Sequence, residues 1–98
     1  MSRLTKLISL AALLVAPSMA TAAEVNVVSW GGAYTESQKL GYGDPYQEMS
    51  GVQVNWIDYS GGLSEIKAQV ESGAITWDII DVYARDTIIG CDEGLFVE

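Results

Sequence analysis

The segment VNVVSWGGAY, residues 25–34, carries the strongest fold signal in this sequence. Its first half is rich in β-branched residues, which is typical of a buried strand. Two glycines, Gly31 and Gly32, follow the strand directly, and Thr35 with Gln38 has the spacing of a helix-capping box. A strand that passes through a short turn into a helix indicates the first β-α unit of a parallel sheet.

Two further β-α units follow along the chain. Apolar runs predict strands at residues 52–57 and 77–82, and helices are predicted to follow at about residues 62–72 and 85–91. The connections are long enough to hold helices, so the order β-α-β-α-β-α predicts an α/β fold, a parallel sheet with flanking helices.

The stretch between the first helix and the second strand contains helix-breaking residues. They predict a break at Gly43, with Asp44 as the N-cap and Pro45 at the first helical position. Three side chains of the next helix repeat at helical spacing and are predicted to face the core: Tyr42, Tyr46 and Met49.

The N-terminal residues have the pattern of an export signal. Arg3 and Lys6 precede an uncharged stretch, residues 7–16, and Ala20-Thr21-Ala22 offers the small-x-small pattern of a cleavage site. The apolar stretch is shorter than the roughly 20 residues of a membrane span, which argues against the alternatives of an anchor or a core helix. We predict a signal peptide at residues 1–23 and one exported domain at residues 24–98.

Composition excludes several function classes. The 98 residues carry a net charge of −8, and −10 without the predicted signal peptide, which disfavours nucleic acid as a partner. The chain has no histidine and one cysteine, so a Ser-His-Asp triad and almost every zinc site are excluded. Asp58 and Asp81 could form an acid–base pair, but no nucleophile–base pair can be assembled. A binding protein without metal or cofactor is favoured over an enzyme.

The loops after the three predicted strands should meet at one edge of the sheet, where ligands bind in open α/β folds. Aromatic rings and carboxylates in these loops are suited to an ammonium group. Arg85 could instead bind a carboxylate, and the glycine turns could offer N–H groups to a phosphate, although no complete phosphate-binding motif is present. The predicted ligand-binding residues are Trp30, Gly31, Tyr34, Tyr59, Asp81 and Tyr83.

Several motifs, taken in order, resemble those of bacterial periplasmic solute-binding proteins of the spermidine/putrescine type. They are VVSWGGAY at 27–34, SGVQV at 50–54, SGGL at 60–63, KAQVESG at 67–73, WDIIDV at 77–82 and GCDEGL at 90–95. The resemblance implies a two-lobed fold that closes on a polyamine or related cation, delivered to the permease and ATPase of an ABC importer. It implies binding roles for Trp30 and Tyr83, and a disulfide partner for Cys91 further along a longer chain.

On this resemblance the sequence covers only the first three β-α units of one lobe, and we expect a truncated N-terminal portion. Two other functions remain open from the residues alone. One is a fragment of a flavodoxin- or Rossmann-like enzyme that binds a phosphate or nucleotide. The other is a binder of a carboxylate or amino acid. A complete small exported module is a further alternative.

Overall fold

The computed structural model describes residues 11–15 and 22–97. It contains three strands and four helices, and a π-helical segment joins the first two helices. The elements are β1 (Glu24–Ser29), α1 (Gly32–Gln38), the π segment (Lys39–Gly43), α2 (Asp44–Ser50), β2 (Gln53–Asp58), α3 (Ser64–Ser72), β3 (Ile79–Ile80) and α4 (Ala84–Asp92).

The three strands form one parallel sheet in the order β2-β1-β3. In the register of the sheet, Val27 of β1 lies beside Trp56 of β2 and Ile79 of β3. The third strand is shorter than predicted, but the N–H groups of Asp78 and Asp81 bond to carbonyls of β1 at 3.0 Å on either side of it. The predicted α/β fold with a parallel sheet and flanking helices is confirmed.

The central strand supplies most of the buried core. Val27 and Val28 point to opposite faces of β1 because side chains alternate along a strand, and both are buried. On one face α1, the π segment and α2 cover the sheet beside β2. Ile66 of α3 is buried as well.

The predicted break at Gly43 is wrong, because the chain stays helical from α1 through the π segment into α2. Gly43 has helical angles, φ −65° and ψ −55°. A Cβ atom there would lie 2.6 Å from Cζ2 of Trp56, so the absence of a side chain lets the helix backbone approach the indole. Pro45 does lie in the first turn of α2, as predicted.

The predicted capping box is also wrong. Gly31 is the N-cap of α1, and Thr35 lies inside the helix. The Thr35 hydroxyl oxygen accepts a hydrogen bond from the Gly31 N–H at 2.8 Å. The helix therefore starts directly after the glycine turn, three residues before the predicted cap.

The prediction that Tyr42, Tyr46 and Met49 face a closed core is wrong too. These side chains are 55%, 46% and 82% exposed. The two tyrosines line an open groove of about 230 Å³ that also includes Trp56 and Asp81.

The predicted signal peptide, residues 1–23, lies outside the described residues except for 11–15 and 22–23, which form neither helix nor strand. Within the described ranges, no helix is both long enough and apolar enough to cross a membrane. Cys91 is a free, half-buried thiol in α4.

Candidate functional site

The carboxyl ends of the three strands meet at one edge of the sheet. Ser29 lies beside Asp58 in the register of β1 and β2. The Tyr59 N–H donates to the Ser29 carbonyl at 2.9 Å, and the Asp81 N–H donates to the Val28 carbonyl at 3.0 Å. These backbone bonds hold the residues after β2 and β3 against the end of β1, so the three loops converge as the sequence predicts.

Three aromatic rings from these three loops form one cluster, made of Trp30, Tyr59 and Tyr83. The Trp30 ring centroid lies 5.0 Å from that of Tyr59 and 4.7 Å from that of Tyr83. Both separations fall within the range of favourable aromatic pairs, which contribute about 0.5–1.5 kcal/mol each beyond area burial. The aromatic cluster therefore joins the loops of all three β-α units.

The turn after β2 fits closely around this cluster. Gly61 has a φ of 91°, and a Cβ atom built on it would lie 2.6 Å from Cζ3 of Trp30. Trp30 is half-buried between the loops, whereas Tyr83 is 58% exposed. Trp30 is thus a packed wall of the site, and Tyr83 is the ring of the cluster that faces solvent most.

Asp81 follows β3 and lies next to the aromatic cluster. Its carbonyl accepts a hydrogen bond from the Tyr59 hydroxyl. Its side chain is half-buried and takes part in a polar network with two buried residues, Ser29 and Gln38. Because a buried carboxylate needs hydrogen-bond partners, this network explains how Asp81 is tolerated under the loops.

Three hydrogen bonds join the members of this network. The Ser29 hydroxyl lies 2.5 Å from Oε1 of Gln38 and 2.8 Å from Oδ2 of Asp81. The Gln38 side-chain N–H donates to the same Oδ2. Ser29 has a single hydroxyl proton, which is shared between the two acceptors. We refer to these three residues as the Asp81 network.

The negative charge at this edge acts on the neighbouring phenols. Burial raises the pKa of Tyr59 above its ordinary value of 10.0, and the charges of Asp81 and Asp86 raise it further. Desolvation also raises the pKa of Tyr42, and the Asp81 charge adds to the effect. Both phenols therefore stay protonated at neutral pH and remain able to donate hydrogen bonds.

The turn that contains Gly31 is poorly suited to an anion. Its N–H already donates to Thr35, and the Asp58 carboxylate lies against it, with Oδ2 3.0 Å from where a Cβ would stand. Tyr34, the third residue of α1, is 54% exposed and does not join the ring pairs found among the described residues. The structure thus brings together four of the predicted residues: Trp30, Tyr59, Asp81 and Tyr83. Gly31 lies against Asp58 instead, and Tyr34 lies outside the aromatic cluster.

A pair of charged residues begins α4. Asp86 is buried, and its Oδ1 lies 3.4 Å from Nε of Arg85, whose side chain is 79% exposed. Within residues 11–15 and 22–97, no cluster of three or more cysteine or acidic side chains is arranged to hold a metal ion.

A larger groove of about 570 Å³ lies between α3, β3 and α4, and Trp77 in its wall packs edge-on against Tyr59 of the aromatic cluster, with ring centroids 5.7 Å apart. Its walls are mainly apolar and include Ile66, Trp77 and Phe96. None of the predicted ligand-binding residues lines it, so we place the candidate site at the carboxyl edge instead.

Sequence reasoning missed Ser29 and Gln38 as parts of the site. Ser29 ends β1, and its place on the strand puts its side chain on the face that α1 covers. Gln38 was assigned to a capping box, and its true neighbours are far away in sequence. Only the polar character of Ser29 at the end of an apolar strand could have drawn attention to it.

The sequence of this chain is similar to that of a known binding protein. The sequence is 37% identical over 81 residues to the γ-aminobutyric acid-binding protein of Pseudomonas aeruginosa, covering 83% of this chain and 23% of that protein. No protein-family model matches the sequence.

Two solved structures share the fold. The PBP AgtB from Agrobacterium tumefaciens R10, in complex with agropinic acid, has a TM-score of 0.70 and 33% identity, covering 76% of this chain and 23% of that one. An ABC transporter from Rhodopseudomonas palustris has a TM-score of 0.64 and 26% identity, covering 71% and 21%. The similarity covers most of this chain in all three comparisons, whereas the chain spans less than a quarter of the length of each relative.

Proposed function

We propose that this chain forms part of the periplasmic solute-binding component of an ABC importer, and that it binds a small solute through an ammonium group. The observation that carries the proposal is the aromatic cluster next to Asp81 at the carboxyl edge of the parallel sheet. The solute would be passed to a membrane permease driven by an ATPase, and the chain itself would catalyse no reaction.

The chemistry of this edge favours a cation. An ammonium group over an aromatic ring gains about 0.5–2 kcal/mol, and a carboxylate adds a charge-assisted hydrogen bond. The exposed ring of Tyr83 and the half-buried carboxylate of Asp81 offer both kinds of contact. The exposed carboxylate of Asp58 adds further negative charge beside Gly31.

Two classes of amine fit this description. The first is a polyamine such as putrescine or spermidine, the ligand class of the solute-binding proteins whose motifs this sequence resembles. An amino acid with a terminal ammonium group is the second, and the 37% identical γ-aminobutyric acid-binding protein favours it. Arg85 offers a largely exposed guanidinium for the carboxylate of such a ligand.

A phosphate or nucleotide ligand has less support. The Gly31 N–H is bonded within its own turn, and the Asp58 carboxylate beside it would repel an anion. A flavodoxin- or Rossmann-like enzyme therefore remains the weaker candidate.

The test is a thermal-shift assay on the purified chain with γ-aminobutyrate, putrescine, spermidine, succinate and ATP. A ligand present at 100 times its Kd should stabilise the protein by about 2.7 kcal/mol. We expect a shift with at least one amine and none with succinate or ATP.

Two variants locate the binding. Tyr83→Ala should abolish the shift, whereas Met49→Ala, which removes an 82% exposed side chain of α2 that lines neither groove, should retain it. A shift with succinate alone would replace the ammonium proposal with carboxylate binding at Arg85. A shift with ATP alone would favour the nucleotide-binding enzyme, and the absence of any amine shift would refute the cation site.

A further inference from the structure

Gln38 is a buried polar residue under the candidate site, and its side chain makes two contacts there. Its Oε1 lies 2.5 Å from the Ser29 hydroxyl, and its N–H donates to Oδ2 of Asp81. The residue is 9% exposed and Ser29 is fully buried. Burying an amide is unfavourable unless it is hydrogen-bonded, so these contacts hold Gln38 in one orientation.

Asp81 is fixed at three points. Its N–H bonds to the Val28 carbonyl, its own carbonyl accepts from the Tyr59 hydroxyl, and Oδ2 is bonded by the other two members of the network. Within the described part of the chain, no side chain or backbone group bonds to the second oxygen, Oδ1. The protein therefore uses one carboxylate oxygen for positioning and leaves the other available.

We propose that Gln38 is a positioning residue that holds Oδ2 of Asp81 so that Oδ1 faces the ammonium group of the ligand. This inference rests on the proposed function, because it assigns a role to a residue that supports the same site. It also predicts selectivity, since an oriented carboxylate distinguishes an amine from an equally large molecule without one.

The amide of Gln38 suits this role because it is neutral and can both accept and donate. Glutamate at this position would place a second carboxylate against Asp81 and would lose the donor. Leucine has a similar volume but would leave the Ser29 hydroxyl as the only side chain bonded to Oδ2. Gln53 is a matched control, because it is exposed at the start of β2 and, among the described residues, its side-chain amide bonds to Asn55 alone, at 2.9 Å.

The first measurement needs no ligand. With glutamine side chains labelled with ¹⁵N, we expect the Gln38 amide protons to exchange with solvent about tenfold or more slowly than those of Gln53, since buried bonded groups are protected. Asp81→Ala should reduce that protection. Equal exchange rates for the two glutamines would overturn the proposal, whatever the ligand is.

The second measurement is calorimetric binding of γ-aminobutyrate and putrescine to wild type, Gln38→Leu and Gln53→Leu, with butyrate as a competitor that lacks the amine. Losing an oriented charged hydrogen bond should weaken amine binding about tenfold or more. The affinity of butyrate, measured by competition, should differ by no more than about twofold between Gln38→Leu and wild type. Gln53→Leu should match wild type in its affinity for all three compounds.

The outcomes separate the two proposals. A protected Gln38 amide together with unchanged amine affinity in Gln38→Leu would overturn the positioning role and leave the proposed function in place. An equal loss of amine and butyrate binding would also overturn it, because it would show general loss of structure. If wild type binds neither amine, the proposed function fails, and the positioning role fails with it.

Discussion

Replacing Gly61 by alanine tests whether the turn after β2 is fitted to the aromatic cluster. Gly61 has a φ of 91°, and its Cβ would lie 2.6 Å from Cζ3 and 3.1 Å from Cη2 of Trp30. Gly62 next to it has a φ of 83°, but a Cβ there would meet no atom within 4 Å. The two substitutions therefore share the backbone strain and differ in the contact with Trp30.

The expected magnitudes follow from these two contributions. Placing a side chain at positive φ costs about 1–2 kcal/mol, and this is the whole effect expected for Gly62→Ala. Gly61→Ala has the same strain, and the added methyl group must displace a ring that already packs against Tyr59 and Tyr83. Overpacking of this kind costs about 1–3 kcal/mol more.

The assay is thermal and urea unfolding of both variants followed by circular dichroism. In a domain of this size, 1 kcal/mol changes Tm by about 4–8 °C, so Gly61→Ala should melt at least about 4 °C below Gly62→Ala. The indole N–H resonance of Trp30 should move in Gly61→Ala and stay in place in Gly62→Ala. Equal stabilities together with an unmoved Trp30 resonance would refute the packing described for this turn.

Two further predictions concern the phenol of the site and the core. The folded state binds the Tyr59 proton more tightly than the unfolded state, so the stability from its raised pKa is present below pH 10.0 and is lost as the pH rises further. In urea unfolding, Tyr59→Phe should lose less stability at alkaline pH than wild type does. An identical loss of stability in the two proteins would contradict the burial of the Tyr59 hydroxyl. Ile66 is 3% exposed, so Ile66→Ala should destabilise the fold by about 2–5 kcal/mol. Ile88, on α4 and 65% exposed, is the control, and Ile88→Ala should stay within about 0.5 kcal/mol of wild type in the same measurement.

The order of strands and helices could be predicted from the sequence because each signal is local. The β-branched run before Trp30 predicts a strand, and α3 ends at Ser72, as predicted, with Gly73 after it in a left-handed conformation. Parallel pairing follows from the length of the connections. It also follows that the loops after the strands share one edge, which brought Trp30, Tyr59, Asp81 and Tyr83 into the predicted site.

The continuous helix through Gly43 depended on tertiary structure. Local propensity predicts a break where two glycines and a proline occur within five residues, but the backbone of Gly43 packs on Trp56 of a strand that comes later in the chain. That contact joins residues distant in sequence and lies at the end of the π segment. The exposure of Tyr42 and Met49 likewise depends on how much of the sheet face the helices cover.

The α/β fold, the parallel sheet and the meeting of the three loops at one edge all follow from the sequence, since strand periodicity and connection length are properties of the chain itself. The Asp81 network was decided only by the tertiary structure. Ser29, Gln38 and Asp81 come from a strand, a helix and a loop, and nothing in their local sequence requires them to meet. Their hydrogen bonds form because α1 packs on the face of β1 that carries Ser29, beside the loop that begins at Asp81.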